Sequence, residues 1–390
     1  MPHYLQRGRF PVKRHTAFRT SPGYRNEGLY YEEVISTQGF GRAYSIAYHA
    51  FPPTRVKQIE VAGDMPVTVA DIGPLRHVHT KSGNLPRQGD PITGRVPMCT
   101  NADVTLWRCR PVESQAELYR NARAEEIVFV HRGSGSLRTH YGVLPFKPLD
   151  YVVIPRCTTY ELVFDAGSEP DLLVIESNCT VGYPTRYTCP EGQLKLGAPY
   201  SERDIHGPTE LIVETVERDT PVLIKDGAKL SRYVLANHPF DVVGWDGCVY
   251  PFTFNAEDFE PITGKIHQPP PIHQTFEGFG GFVVCTFAPR LLDYHPDAIK
   301  VPYAHSNVES DEVLYYVRGQ FGSRRGVEIG SFTLHPHGIP HGPHPGTIQA
   351  SFAHTKTDEL AVMVDTFRPL HPTVQAMTMD DPNYPFSWVG

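Results

Sequence analysis

The tightest constraint on what this chain can fold into lies between residues 300 and 344, KVPYAHSNVESDEVLYYVRGQFGSRRGVEIGSFTLHPHGIPHGPH. After Glu312 the run Val313-Leu314-Tyr315-Tyr316-Val317 is aliphatic, aromatic and β-branched, and it stops at Arg318-Gly319, which predicts a strand ending in a turn. A second strand is predicted from Ser331 to His335 and stops at Pro336, with Gly338 and Pro340 forcing a bend that delivers His341 to the end of the strand pair. Together with His305, this spacing puts two imidazoles and one carboxylate at one end of an antiparallel pair. Two neutral imidazoles and a carboxylate leave the remaining positions of an octahedral ion open, the arrangement that non-haem Fe(II) oxygenases use to hold substrate and O2 together. The expected metal ligands are His305, Glu312 and His341, and the expected cofactor is Fe(II).

The rest of the composition fits a β-rich chain. Thirty-seven prolines and 33 glycines suit many short strands joined by turns, and 20 tyrosines with 20 phenylalanines supply a substantial core. At 390 residues two barrels or sandwiches are expected. A net charge of −7 argues against a nucleic-acid surface, which needs a basic face to displace counterions. No run of about 18 apolar residues offers a membrane span. The basic N-terminus lacks an apolar segment behind it, so a secretory signal is not expected. The seven cysteines are odd in number and form no CxxC pair, as expected of reduced thiols in a cytoplasmic protein.

The first half repeats the pattern in altered form. Glu126 to Gly133 has the same Glu-x6-Gly layout as Glu312 to Gly319. Asp150 to Tyr160 follows the later segment, with Cys157 where Gly338 stands and Tyr160 where His341 stands. Seven residues before Glu126 is Tyr119, so Glu126 reads as structural. Arg76-His77-Val78-His79 carries an HxH spacing on one strand face, but no carboxylate follows at a fitting distance, and it reads as a polar strand face or pocket rim. Residues 181–240 read as a connecting loop followed by a short strand pair near 211–234, and the terminal segments read as arms.

His305-x6-Glu312-x6-Gly319 resembles the first cupin motif, with Asn307 where many cupins have their second histidine, and Gly330-x5-Pro336-x-Gly338-x2-His341 resembles the second. The resemblance and the repeat imply an all-β bicupin, with a metal-less cupin at 1–235 and a catalytic one at 236–390. More narrowly, HPFDVVGWDGCVYPF, the stretch ending in FAPR at Arg290, VPYAHSN, DEVLYYVRG and LHPHGIPHGPHPG resemble the homogentisate 1,2-dioxygenase family in its compact bacterial form. That resemblance implies iron on His305, Glu312 and His341 and acid/base chemistry at His267. It also implies substrate contacts at His335, Tyr303 and Phe321. The implied partners are a small aromatic dihydroxy acid and O2, and the implied assembly is a homo-oligomer, trimer or hexamer. His273 is the other candidate beside His267, read as a residue that supports the site or the fold, and His337 and His344 flank the bend. Arg318 and Arg290 are each as suited to a structural ion pair as to a substrate carboxylate. Phe321 stands where longer family members have a substrate-contacting tyrosine, which leaves gentisate or another hydroquinone open as substrate. A non-catalytic ligand-binding bicupin and a Zn or Mn cupin acting without O2 are also open.

Overall fold

Strand Asp311–Arg318 shows why the chain folds as it does, because its two faces have different partners. In the computed structural model, which describes residues 3–20, 28–264, 266–321, 324 and 326–389, Val313, Tyr315 and Val317 face a large core shared between the two halves. Leu314 faces a small separate cluster with Val283, Cys285 and Met363. The chain is all-β, and the α-helices among the described residues are the short Thr347–Ser351 and Val374–Met377. No helix among them is long and apolar enough to cross a membrane.

Three large sheets stack in layers. The first-half barrel is closed by a seven-stranded and an eight-stranded sheet, with Trp107, Val128, Val152 and Leu172 of the latter meeting Tyr119, Leu137, Leu144 and Tyr160 of the former. The opposite face of the eight-stranded sheet, through Leu106, Ile127, Phe129 and Tyr151, packs on Val313, Tyr315, Phe332 and Val362 of the second-half sheet. Alternating side chains thus bury apolar groups on both faces of the middle layer, which explains its nearly continuous hydrophobic strands.

Strand pairing crosses residue 235 in both directions. Val242–Gly247 pairs with Tyr44–His49, and Phe252–Asn255 pairs with Asp150–Ile154. Conversely Val78–Thr80 and Val181–Gly182 form the two edges of the second-half sheet. The expected strand pair near 211–234 appears as Thr220–Asp226 with Lys229–Leu235. The terminal segments pack on their own chain: Leu5–Gly8 pairs with Val242–Gly247, and Tyr384 stacks near His79 with ring centroids 5.2 Å apart.

Glu126 is buried, and its carboxylate is met by Arg95 at 2.5 Å, by the Tyr160 hydroxyl at 2.6 Å and by the Tyr119 hydroxyl at 3.4 Å. Burial alone would raise its pKa, but Arg95 and these donors hold it low. A guanidinium therefore stands where a metal would balance the charge. Arg95→Ala strands a buried carboxylate and is expected to destabilise the fold by about 3–5 kcal/mol in denaturant titration, with most of the loss recovered in Arg95→Met/Glu126→Gln.

His49 locks the N-terminal strands to the body through Asp241 at 2.7 Å and Glu33 at 2.9 Å. Burial disfavours its charge, yet the two carboxylates raise its pKa from 6.5 to about 9. A group raised on folding contributes fully below its unfolded pKa and loses that contribution as pH rises through the folded one. Stability is therefore expected to fall by about 3 kcal/mol between the unfolded and folded values, and His49→Gln to flatten that fall in denaturant titrations at stepped pH.

Candidate metal centre

His305 and His341 are joined by a two-way backbone bridge, His305 N–H to His341 C=O at 2.8 Å and His341 N–H to His305 C=O at 2.9 Å. The bridge sets the rings side by side, with centroids 4.3 Å apart. Gly342 makes the close approach possible, since a Cβ there would lie 2.6 Å from Ala304 Cα. Glu312, near the start of strand Asp311–Arg318, points to the same place: His341 Nε2 is 3.4 Å from Oε1 and His305 Nε2 is 3.6 Å from Oε2. One ligand atom from each of the three residues lies within 4.8 Å of the others.

The donor set fits a cation. His341 is only 3% exposed, and neither ring nitrogen has a hydrogen-bond partner, a costly state for a buried imidazole. His305 has Nδ1 3.2 Å from the Tyr303 carbonyl, which fixes the tautomer that leaves the Nε2 lone pair facing Glu312. Burial would raise the Glu312 pKa, but His305, His335 and His341 hold it well below the usual carboxylate range. The carboxylate is therefore charged.

His335 pairs in register with Glu312 across the strands. It was expected to contact substrate, but it is fully buried and both its nitrogens are engaged by the protein. Burial brings its pKa down to about 3, so the ring is neutral. Nδ1–H donates to Glu312 Oε1 at 2.9 Å, and Nε2 accepts from the Tyr384 hydroxyl at 3.0 Å. Burial holds the Tyr384 phenol far above its ordinary pKa, which keeps that proton in place. A chain from tail to strand thus orients the carboxylate.

Tyr303 and His267 stand at the exposed side. His267 Nε2 is 3.2 Å from the Tyr303 hydroxyl with the rings stacked, and Tyr303 meets the His305 ring edge-on at 5.8 Å. Lys265, beside His267 in sequence, lies outside the described residues. The Phe321 ring lies 4.5 Å from Tyr316, itself bonded to Thr333. His273 is buried against Phe287. His337 accepts no such burial and binds Asp311 at 2.7 Å, while His344 is buried under Trp388. Arg318 pairs with Glu257 at 2.9 Å and Arg290 donates to the Ala288 carbonyl.

Three neighbours, Asp365, Trp388 and Arg324, escaped the sequence reading, and a fourth, His77, was read only as a polar strand face or pocket rim. Asp365 lies across the strand from Glu312, and burial together with that charge keeps its carboxyl well above its ordinary pKa. Its only signal was an acid ending an apolar run. His77, from the first half, packs 5.4 Å from His335 and 6.0 Å from His341. Trp388 covers His77 and donates to the Gly342 carbonyl at 3.0 Å. Arg324 donates to the same carbonyl and lies over the Trp388 ring.

Fold and site define a cupin in which one half carries a metal-type cluster and the other an arginine in its place. Residues 92–256 match the family model described as Homogentisate 1,2-dioxygenase N-terminal. Over its full length the chain is 38% identical to a protein of Saccharolobus solfataricus provisionally named a dioxygenase, covering 99% of it. It is 28% identical to the homogentisate 1,2-dioxygenase of Nitrobacter hamburgensis, over 68% of this chain and 61% of that enzyme. With the enzyme of Rhodopseudomonas palustris (strain BisB5) the identity is 26%, over 70% of this chain and 62% of that enzyme. The match thus spans just over three-fifths of those two enzymes. The chain belongs to the homogentisate 1,2-dioxygenase family.

Removing the His335 hydrogen bond should loosen the carboxylate without altering His305, Glu312 or His341 themselves. His335→Phe is expected to weaken divalent-metal affinity about 10–100-fold in anaerobic titration, and Tyr384→Phe to move it less in the same direction.

Proposed function

We propose that this protein opens the ring of homogentisate with O2 to give maleylacetoacetate, using Fe(II) held by His305, Glu312 and His341. The observation that carries the reading is the buried His341 ring, whose nitrogens have no hydrogen bond and whose Nε2 faces the charged Glu312 at 3.4 Å. Two imidazoles and one carboxylate are the donor set of non-haem Fe(II) oxygenases, and the family supplies the aromatic substrate class. Iron bound there would supply open positions for both reactants and let electron density pass from ring to O2.

The chain's own residues then divide the work. His267, on the exposed side, takes the proton of a ring hydroxyl at Nε2, and the Tyr303 hydroxyl 3.2 Å away steers that nitrogen. Reactants approach past His305, whose side chain is 24% exposed, because His341 is sealed. The floor of Tyr384, His77 and Trp388 keeps water from the opposite side. Arg324 adds positive charge close to Glu312 and favours a substrate bearing a carboxylate. Phe321 lacks the hydroxyl of its counterpart in longer enzymes, which keeps gentisate as the second reading. We also propose a cytoplasmic homo-oligomer, trimer or hexamer, a setting in which seven free cysteines remain thiols.

The test is oxygen uptake by protein loaded anaerobically with Fe(II). One O2 per homogentisate is expected, with growth of the ring-opened product's absorbance and slower turnover of gentisate. His341→Ala should lose both iron and uptake; full iron with retained uptake would sink the ligand assignment. His267→Gln should keep its iron and lower kcat by roughly 10²–10⁴-fold.

A further inference from the structure

A cavity of about 370 Å³ lies in the first half, lined by Glu33, the turn at His140, Arg120 and the turn at Cys157. It shares no lining residue with the candidate metal centre. Several independent features converge on it.

Cys157 has φ +68°, and its counterpart in the second half, Gly338, has φ +72°. The repeat has kept a left-handed backbone while replacing the residue that suits it by one that adopts it rarely. A side chain held in such a conformation at a cavity rim points to use of that side chain or of the shape it makes. Cys157 is also exposed, whereas the other six cysteines are buried or half-buried.

His140 is 5% exposed and its Nε2 has no partner. Burial brings its pKa down to about 3, so at neutral pH the ring is uncharged. Arg120 uses Nε on the Thr159 hydroxyl at 2.7 Å; it makes no ion pair among the described residues, and its charge acts on Glu33 and His140 through space. Glu33 keeps 39% of its side chain exposed. Burial works against its charge, but the His49 hydrogen bond lowers its pKa to about 2. Because one His49 cation serves both Glu33 and Asp241, that cluster retains a surplus negative charge. The other arginine on the cavity, Arg55, is occupied by Glu217.

The cavity thus presents a cation and an anion that attract each other through space without forming an ion pair among the described residues, and an apolar wall from Ile35 and Leu235. A simple anion on Arg120 would be repelled by Glu33, and a simple cation on Glu33 by Arg120, whereas a ligand carrying both charges can pair with each. A metal is disfavoured, since His305, Glu312 and His341 are the one group of such ligands gathered within reach of an ion among the described residues. We propose that this cavity binds a free α-amino acid, its carboxylate on Arg120, its ammonium group toward Glu33 and the His140 lone pair, and its side chain against Ile35 and Leu235.

Cys157 provides a reporter on the intact, metal-loaded protein. L-Leucine and L-phenylalanine are titrated calorimetrically, and alkylation of Cys157 by iodoacetamide is followed by mass spectrometry with and without them. Saturable binding of one molecule per chain is expected, with slowed alkylation at Cys157. Arg120→Gln should weaken binding at least about tenfold and Arg120→Lys less, as expected for loss of a charge-assisted pair. Deaminated and decarboxylated leucine analogues, 4-methylpentanoate and 3-methylbutylamine, should each bind about tenfold or more weakly. The proposal is overturned by absence of heat and protection up to about 10 mM of both amino acids, by a folded Arg120→Gln that binds unchanged, or by 4-methylpentanoate binding as well as leucine.

Discussion

A carboxylate buried inside an antiparallel barrel must be compensated, and this chain meets that requirement in two ways. Glu126 is met by Arg95, with Tyr160 and Tyr119 completing its oxygens. Glu312 occupies the corresponding place in the second half, but its ion-pair partners among the described residues are the histidines 305, 335 and 341. His335 is neutral at physiological pH and serves as a donor, so it does not balance the charge. Where the first half carries its cation in the chain, the second half has imidazole lone pairs and room for an ion from outside. The comparison separates what the barrel needs from what the chemistry needs: both halves keep the strand and the carboxylate, and only one keeps histidines.

That distinction was readable in the sequence because it depends on local spacing. The aliphatic, aromatic and β-branched run after Glu312 predicted the strand that proved to be Asp311–Arg318, and the Glu-x6-Gly repeat exposed the degenerate copy. The His305–His341 bridge was foreshadowed by Pro336, Gly338 and Pro340 forcing the return. What was not readable depends on register and on distant segments. Asp365 becomes Glu312's neighbour only once strand Leu360–Thr366 is aligned to it, and no local pattern sets that alignment. Arg95 lies outside the motif that contains Glu126. His77 reaches the centre because Val78–Thr80 joins a sheet belonging to the other half. His335 shows the same limit: its spacing put it on the correct face, but only the pairing with Glu312 shows that it is buried and hydrogen-bonded to that carboxylate.

The layered packing explains how the centre is kept rigid. The strand that carries Glu312 on one face uses Val313, Tyr315 and Val317 on the other to bind the middle sheet. Moving the carboxylate would mean moving a strand fixed in a core built from both halves, in an interior packed too densely to deform continuously. The tail adds a second restraint, through the Tyr384 hydroxyl to His335 and through Trp388 to the Gly342 carbonyl next to His341. Edge strands borrowed from the first half and a tail folded over the floor leave the centre open chiefly at His305.

That asymmetry divides the centre into a fixed floor and an adaptable mouth. Burial rises from His267, which is exposed, through Tyr303 at 44% exposure, to His341 at 3%. Groups on the floor have no freedom to repack, so their identity is set by charge and hydrogen bonding. Groups at the mouth, such as His267 and Tyr303, meet solvent, and exchanging one there leaves the metal-type cluster intact while changing what the rim can hydrogen-bond. Substrate choice and metal retention are therefore separable in this architecture, because different residues, on different elements and at different depths, determine each.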